Sequence, residues 1–171
     1  MSVAKFEKWQ NLDGVTRNAV LQVVTKVATD NYAHSSQTFG DITDMFLAIT
    51  PTSATSKIYI SMSPNLIVSR TGNTSLAALR LLRDSTVIYT PHSQNATGNF
   101  GMGVLAGTNT AGLNYYGPHI VEYVDSPATT SEITYKLQVA NYLASTTTTV
   151  NYALAGYTAC QASIVLMEIA Q

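Results

Sequence analysis

The chain has 171 residues, enough for one domain that buries a core without disulfides or metals. Its 9 basic and 10 acidic residues leave a net charge of -1, which excludes the basic footprint of a nucleic-acid binder or of a protein drawn to anionic membranes. With 46% apolar residues and abundant Thr and Ser, so few charges imply that part of the surface is covered, first of all by another copy of the chain.

Residues 1–17 differ in character from the rest and form a short N-terminal arm ahead of a domain over 18–171. "SVAKFEKWQNLDG" reads as a short helix with Ser2 as N-cap and Gly14 as its stop. Phe6 and Trp9 would then share one face, three residues apart, as partner-anchoring side chains. Two placements stay open for this arm: against a partner subunit, or folded back on its own domain. The opening ten residues contain no apolar core of a signal peptide, and no run approaches the roughly 20 apolar residues that span a bilayer. A soluble protein made in a cytoplasm is the expectation.

Beyond the arm the dominant period is two. Strands are predicted near 18–29 and 39–49, followed by the turn "TPTSAT" (50–55). In "KIYISMS", Ile58, Ile60 and Met62 take one face and Tyr59, Ser61 and Ser63 the other. Turn signals follow at "SPN" (63–65) and "RTGN" (70–73). Strands near 76–83 and 86–90 flank Asp84-Ser85, a two-residue turn that places Arg83 opposite Thr86, Leu82 opposite Val87, Leu81 opposite Ile88 and Arg80 over Tyr89. Asp84 would cap this turn through its own backbone.

"GNFGMGVLAG" (98–107) lacks the Lys-Ser/Thr of a phosphate loop and has no helix after it, so its glycines point to bulges or close backbone approach within a strand at 100–106. Tyr115 and Tyr116 precede Gly117-Pro118 in a predicted loop, as candidates for receptor or inter-subunit contact. A strand near 118–124 and a loop at "DSPATTS" (125–131) lead to "EITYKLQVA", where Ile133, Tyr135, Leu137 and Val139 alternate with Thr134, Lys136 and Gln138. The β-branched run Thr146 to Val150 suits a strand at 147–153. In the last strand, "ASIVLMEIA", Val165, Met167 and Ile169 read as the buried face. Many short strands separated by turns indicate an all-β, jelly-roll-like antiparallel β-sandwich.

Chemistry is sparse. His34, His92 and His119 lack metal-ligand spacing and read as solvated loop groups. There is no GxSxG elbow, and Asp41 with Asp44, the closest notable acidic pair, reads as flanking a turn. Cys160, the only cysteine, reads as a buried inert thiol. No catalytic residue, metal or cofactor is expected.

Four segments, "ITPTSATSKIYI" (49–60), "LRLLRDSTVIY" (79–89), "DSPATTSEITYKLQV" (125–139) and "SIVLMEIA" (163–170), together resemble small virion proteins and fibre modules of tailed bacteriophages. "FEKWQNLDGVTRNAVLQVV" resembles the segment leading into such modules, so the likeness covers most of residues 6–170. The resemblance implies a structural, non-enzymatic protein of the phage particle, trimeric, partnered with phage capsid or tail proteins and assembled in the host cytoplasm. Without a coiled-coil stalk, the chain is expected to be a free-standing capsid cement or decoration protein on the outside of the head. A tail-fibre or receptor-binding module contacting the host surface is the alternative.

Overall fold

The structure is a computed structural model that describes residues 8–10, 16–70, 75–90, 103–106, 114–141, 145–152 and 160–171. These residues form strands and no helix. A short hairpin, β1 (Lys8–Gln10) with β2 (Thr16–Asn18), precedes β3 (Val20–Ala28), β4 (Tyr32–His34), β5 (Gly40–Ile49), β6 (Lys57–Ser63), β7 (Asn65–Arg70) and β8 (Ser75–Arg83). Then come β9 (Thr86–Tyr89), β10 (Gly103–Ala106), β11 (Asn114–Pro118), β12 (Val121–Asp125), β13 (Ile133–Asn141), β14 (Thr146–Val150) and β15 (Ala162–Ile169).

Every pairing is antiparallel, in the orders β5-β13-β8-β10, β4-β14-β7-β11 and β3-β15-β6-β12, with β9 added beside β8. The last two orders repeat one another in chain-adjacent partners: β3 with β4, β15 with β14, β6 with β7, β12 with β11. They are two halves of one layer, interrupted along a common line. Pro64 lies on that line and has no N–H to continue a ladder. Hydrogen bonds stitch the line: His119 N to Pro64 O (2.8 Å), Asn151 N to Asn65 O (2.9 Å) and Asn151 Nδ2 to Ala28 O (3.2 Å). Asn151 turns the chain there with a φ of 52°, a conformation that Asn tolerates better than most residues.

Counted through the interruption, eight long strands remain outside β9 and the hairpin. Their chain order is first, eighth, third, sixth in one layer and second, seventh, fourth, fifth in the other. That is a jelly-roll sandwich, as the alternating sequence predicts. Between the layers, Ile58, Ile60, Met62, Leu66, Val68, Leu79, Leu81, Tyr135, Leu137, Val139, Ile164 and Leu166 are buried in one core. In β14, Thr146, Thr148 and Val150 face inward and Thr147 and Thr149 outward, the use of β-branched residues that a pleated sheet favours.

Several expectations change. The N-terminal segment is not helical where described: Trp9 stands opposite Arg17 in the β1–β2 ladder. Gly14, taken as a helix stop, is together with Asp13 equally a hairpin turn signal; both residues, like Phe6, lie outside the described residues. Besides the hairpin, three strands were not foreseen, β4, β7 and β11. β7 hides behind the turn signal at Pro64, and β4 has only three residues. Tyr115 and Tyr116 lie in β11 and not in a loop, opposite Val68 and Ile67 of β7. Asp41 and Asp44 lie inside β5, where the register against β13 slips from Phe46–Lys136 to Asp41–Gln138. Cys160 is exposed, just ahead of the last strand rather than in the core. In β15 the faces are inverted: Ile164, Leu166 and Glu168 point inward, and Val165, Met167 and Ile169 outward.

Candidate contact surface

The Leu79–Tyr89 hairpin follows the predicted register for only two pairs. Arg83 pairs with Thr86 and Leu82 with Val87, after which the ladder slips and Leu81 meets Tyr89. The slip removes Tyr89 from Arg80, whose guanidinium lies instead 4.1 Å from the centre of the Phe39 ring. Asp84, with a φ of 53°, does not cap its own turn: its carboxylate accepts from Thr134 N (2.9 Å), while its N–H donates to Thr134 O (2.7 Å). Tyr89 stacks on Tyr123, ring centres 5.1 Å apart.

The hairpin's two arginines serve different layers. Arg83 Nη1 donates to the buried Asp125 at 2.8 Å, and the Tyr135 hydroxyl donates to the same carboxylate oxygen at 2.8 Å. These bonds tie the end of β12 to β8 and β13 in the opposite layer. Burial, reinforced by that carboxylate, pushes the Tyr135 phenol far above its ordinary range, so it remains a donor.

Arg80 belongs to the outer face of β8, β13 and β5. Its Nε donates to Gln138 Oε1 (2.7 Å), Gln138 Nε2 donates to Asp41 Oδ1 (2.6 Å), and Lys136 Nζ pairs with Asp41 Oδ2 (2.7 Å). The Lys136 hydrogen bond is the main reason Asp41 titrates below the ordinary carboxylate value. This polar ladder crosses three strands. Such a face is matched to water.

The outer face of β3, β15, β6 and β12 is different. Register aligns Val23, Met167, Tyr59 and Val124 in one row directly across the four strands. The next row is Thr25, Val165, Ser61 and Glu122, and beyond it Val27, Ser163 and Ser63. Val20, Val23, Val27 and Val124 are 54%, 52%, 58% and 49% exposed. Glu122 accepts the Tyr59 hydroxyl at 2.8 Å, and Ser63 bonds Ser163 at 2.8 Å, so even the polar groups of this face are partly satisfied within it. Scattered exposed apolar residues are ordinary on any protein, but an aligned row across a sheet is not scatter.

The other groups with chemical potential are committed to structure. Asp41 and Asp44, considered as a carboxylate pair, are each held by a lysine; Asp44 takes Lys26 at 2.6 Å. His34 bonds through both ring nitrogens, to the Thr38 carbonyl (3.0 Å) and the Tyr32 hydroxyl (3.1 Å). A carbonyl only accepts, so Nε2 carries a proton. Half-buried in β4, His34 is not the solvated loop group expected; burial also lowers the basicity of His119, and His92 lies outside the described residues. Among the described residues no group of three His, Cys, Asp or Glu could hold a metal ion. Of the anchoring candidates, Trp9 lies in the hairpin that joins no other sheet, and Tyr115 and Tyr116 in an edge strand of the sandwich. The structure does not bring them into one sheet.

No protein-family model matches the chain, and no curated protein does. Chains in solved structures of infectious bursal disease virus align with it at low similarity. A chain of the T13 viral particle is 13% identical over 86% of this chain, with a TM-score of 0.36. Chains of the Gx and Gt strain structures are 11% and 12% identical over 86% and 92% of this chain, with TM-scores of 0.33 and 0.30. The chain spans 37% to 42% of the length of those chains, and at these scores the likeness identifies neither family nor function.

Proposed function

We propose that this protein is a non-enzymatic structural component of a virus particle, specifically a trimeric cement or decoration protein on the outside of a tailed-phage head. The observation that carries the reading is the inequality of the sandwich's two outer faces. One is laced with Arg80, Gln138, Asp41 and Lys136, and the other presents Val23, Met167, Tyr59 and Val124. A rigid sandwich with one outer face crossed by a charged ladder and the other by an apolar row is suited to an assembly in which one side meets protein and the other meets solvent. The resemblance of its strand segments to phage virion modules supplies the setting. Arg83 and Tyr135 both bind Asp125, a structural use of these groups that agrees with a mechanical role. Every contact made only in the assembled particle stabilises that state over free subunits by mass action.

Tyr115 and Tyr116 favour a second reading. They lie in β11, at the end of its layer's strand order, and a tail-fibre module contacting a host receptor is the reading that uses these two residues. Gold-labelled antibody on intact virions separates the two. Label on the head surface is expected; label at the tail tip would replace the first reading by the second, and unlabelled virions would end both.

A further inference from the structure

We infer that the outer face of β3, β15, β6 and β12 is the surface through which copies of this chain bind one another. The face continues across four strands. Along the seven residues of β6 it extends about 23 Å, and four strands about 4.8 Å apart make it about 19 Å wide. A face of that size projects to about 440 Å², about half of what one partner contributes to a standard interface, and its side-chain relief adds to that area.

Its composition selects the occupant. Interfaces between copies of one chain are the more apolar class, with charges depleted at the centre. Here the central row is Val23, Met167, Tyr59 and Val124. The charges presented by the outward positions of its strands are Lys57 at the start of β6 and Glu122 in β12, one of each sign, and Glu122 is already bonded to Tyr59. Two such faces therefore meet without net repulsion. An anionic lipid surface would call for a cluster of basic residues around the apolar area, and Lys57 alone does not make one. A second copy fits the neutrality that is present.

Among the described residues, the β3 edge of the layer leaves the face accessible. Along β3, the neighbouring β5 segment engages the strand from the side: Gln22 Nε2 donates to Thr50 O (2.7 Å), Lys26 Nζ to Phe46 O (3.2 Å), and the Asp44 carboxylate accepts from Thr29 N (2.8 Å). These contacts occupy the strand's edge. Val23 and Val27 remain outward and more than half exposed.

This inference deepens the proposed assembly role, yet its test is independent of any virion. Light scattering and sedimentation of the purified chain should give an oligomer whose mass falls to the single-chain value in Val23→Glu/Val27→Glu. Val124→Lys, at the far end of the same row, should do likewise, so the result stands even where the double variant fails to fold by circular dichroism. Val87→Glu, an exposed valine on β9 of the other sheet, should leave the mass unchanged. A wild-type chain that stays monomeric at every concentration, or folded face variants that keep the wild-type mass, would overturn the inference. If the face variants dissociate while virions carry no label, the surface stands and the particle role falls.

Discussion

Glu168 is wholly buried on the inner face of β15, and almost everything around it donates. Thr52 N and Oγ1 each lie at 2.8 Å from Oε1, Ser53 N at 3.3 Å, and Gln22 Nε2 at 2.6 Å from Oε2. Burial pushes its carboxyl upward, but the bonds from Gln22 and Thr52 outweigh burial and leave it below the ordinary glutamate value of 4.5. The carboxylate thus pins the β5–β6 loop to the last strand. Since the folded value is the lower one, the stabilisation is present above pH 4.5 and is lost as pH falls through the folded value. Glu168→Gln places an amide where only acceptors fit, and is expected to lower stability by about 2 kcal/mol at neutral pH. Denaturant titrations at neutral and acid pH check this: the gap between variant and wild type should narrow on acidification. An unchanged gap would mean that the carboxylate's charge is irrelevant.

At the level of elements, the bulge in β5 shows local chemistry deciding where a strand bends. Residues 42–45 of β5 face Leu137 alone between the Phe46–Lys136 and Asp41–Gln138 pairs. Asp44 takes a φ of 67°, and its carboxylate gathers Lys26, Thr29 N and Asp30 N. An Asp in that backbone conformation is tolerable because its short side chain can bond locally. Asp44→Ala keeps the strain and loses the acceptor, so it should destabilise by about 2 kcal/mol. Asp44→Asn keeps a carbonyl acceptor and tolerates the φ, and should lose less. Thermal unfolding of the two variants gives the ranking; an Ala variant as stable as the Asn variant would show that the acceptor is idle. The same element explains why Asp41 and Asp44 could be misplaced beside a turn: the bulge imitates turn chemistry inside a strand.

For the whole molecule, the sandwich closes without the N-terminal hairpin. β1 and β2 pair with each other over three residues, and neither joins a sheet of the jelly roll. A ladder so short is marginal alone. The hairpin attaches through Ala19, which is buried and accepts Ala170 N at 2.9 Å. Deleting residues 1–18 should leave a folded β domain with an unfolding midpoint within a few degrees of the full chain, while attachment to particles is lost. Circular dichroism and co-sedimentation with virions report the two halves separately. A truncated protein that still decorates particles normally would remove the anchoring role of the segment that carries Trp9.

Alternation by itself located most of the long strands, the inward faces of β6 and β13, and the jelly-roll class, because a period of two has one physical meaning wherever one face is polar. It could not orient β15, where both faces are apolar and the single charge, Glu168, reads as outward although it points in. Only the tertiary structure supplies the reason: Gln22, Thr52 and Ser53 come from distant parts of the chain to satisfy that carboxylate. Turning Glu168 inward turns Val165, Met167 and Ile169 outward, and with them creates the apolar outer face. The arginines of the Leu79–Tyr89 hairpin follow the same rule. Turn residues located the hairpin, but a register slip and partners more than 30 positions away decided what Arg80 and Arg83 touch.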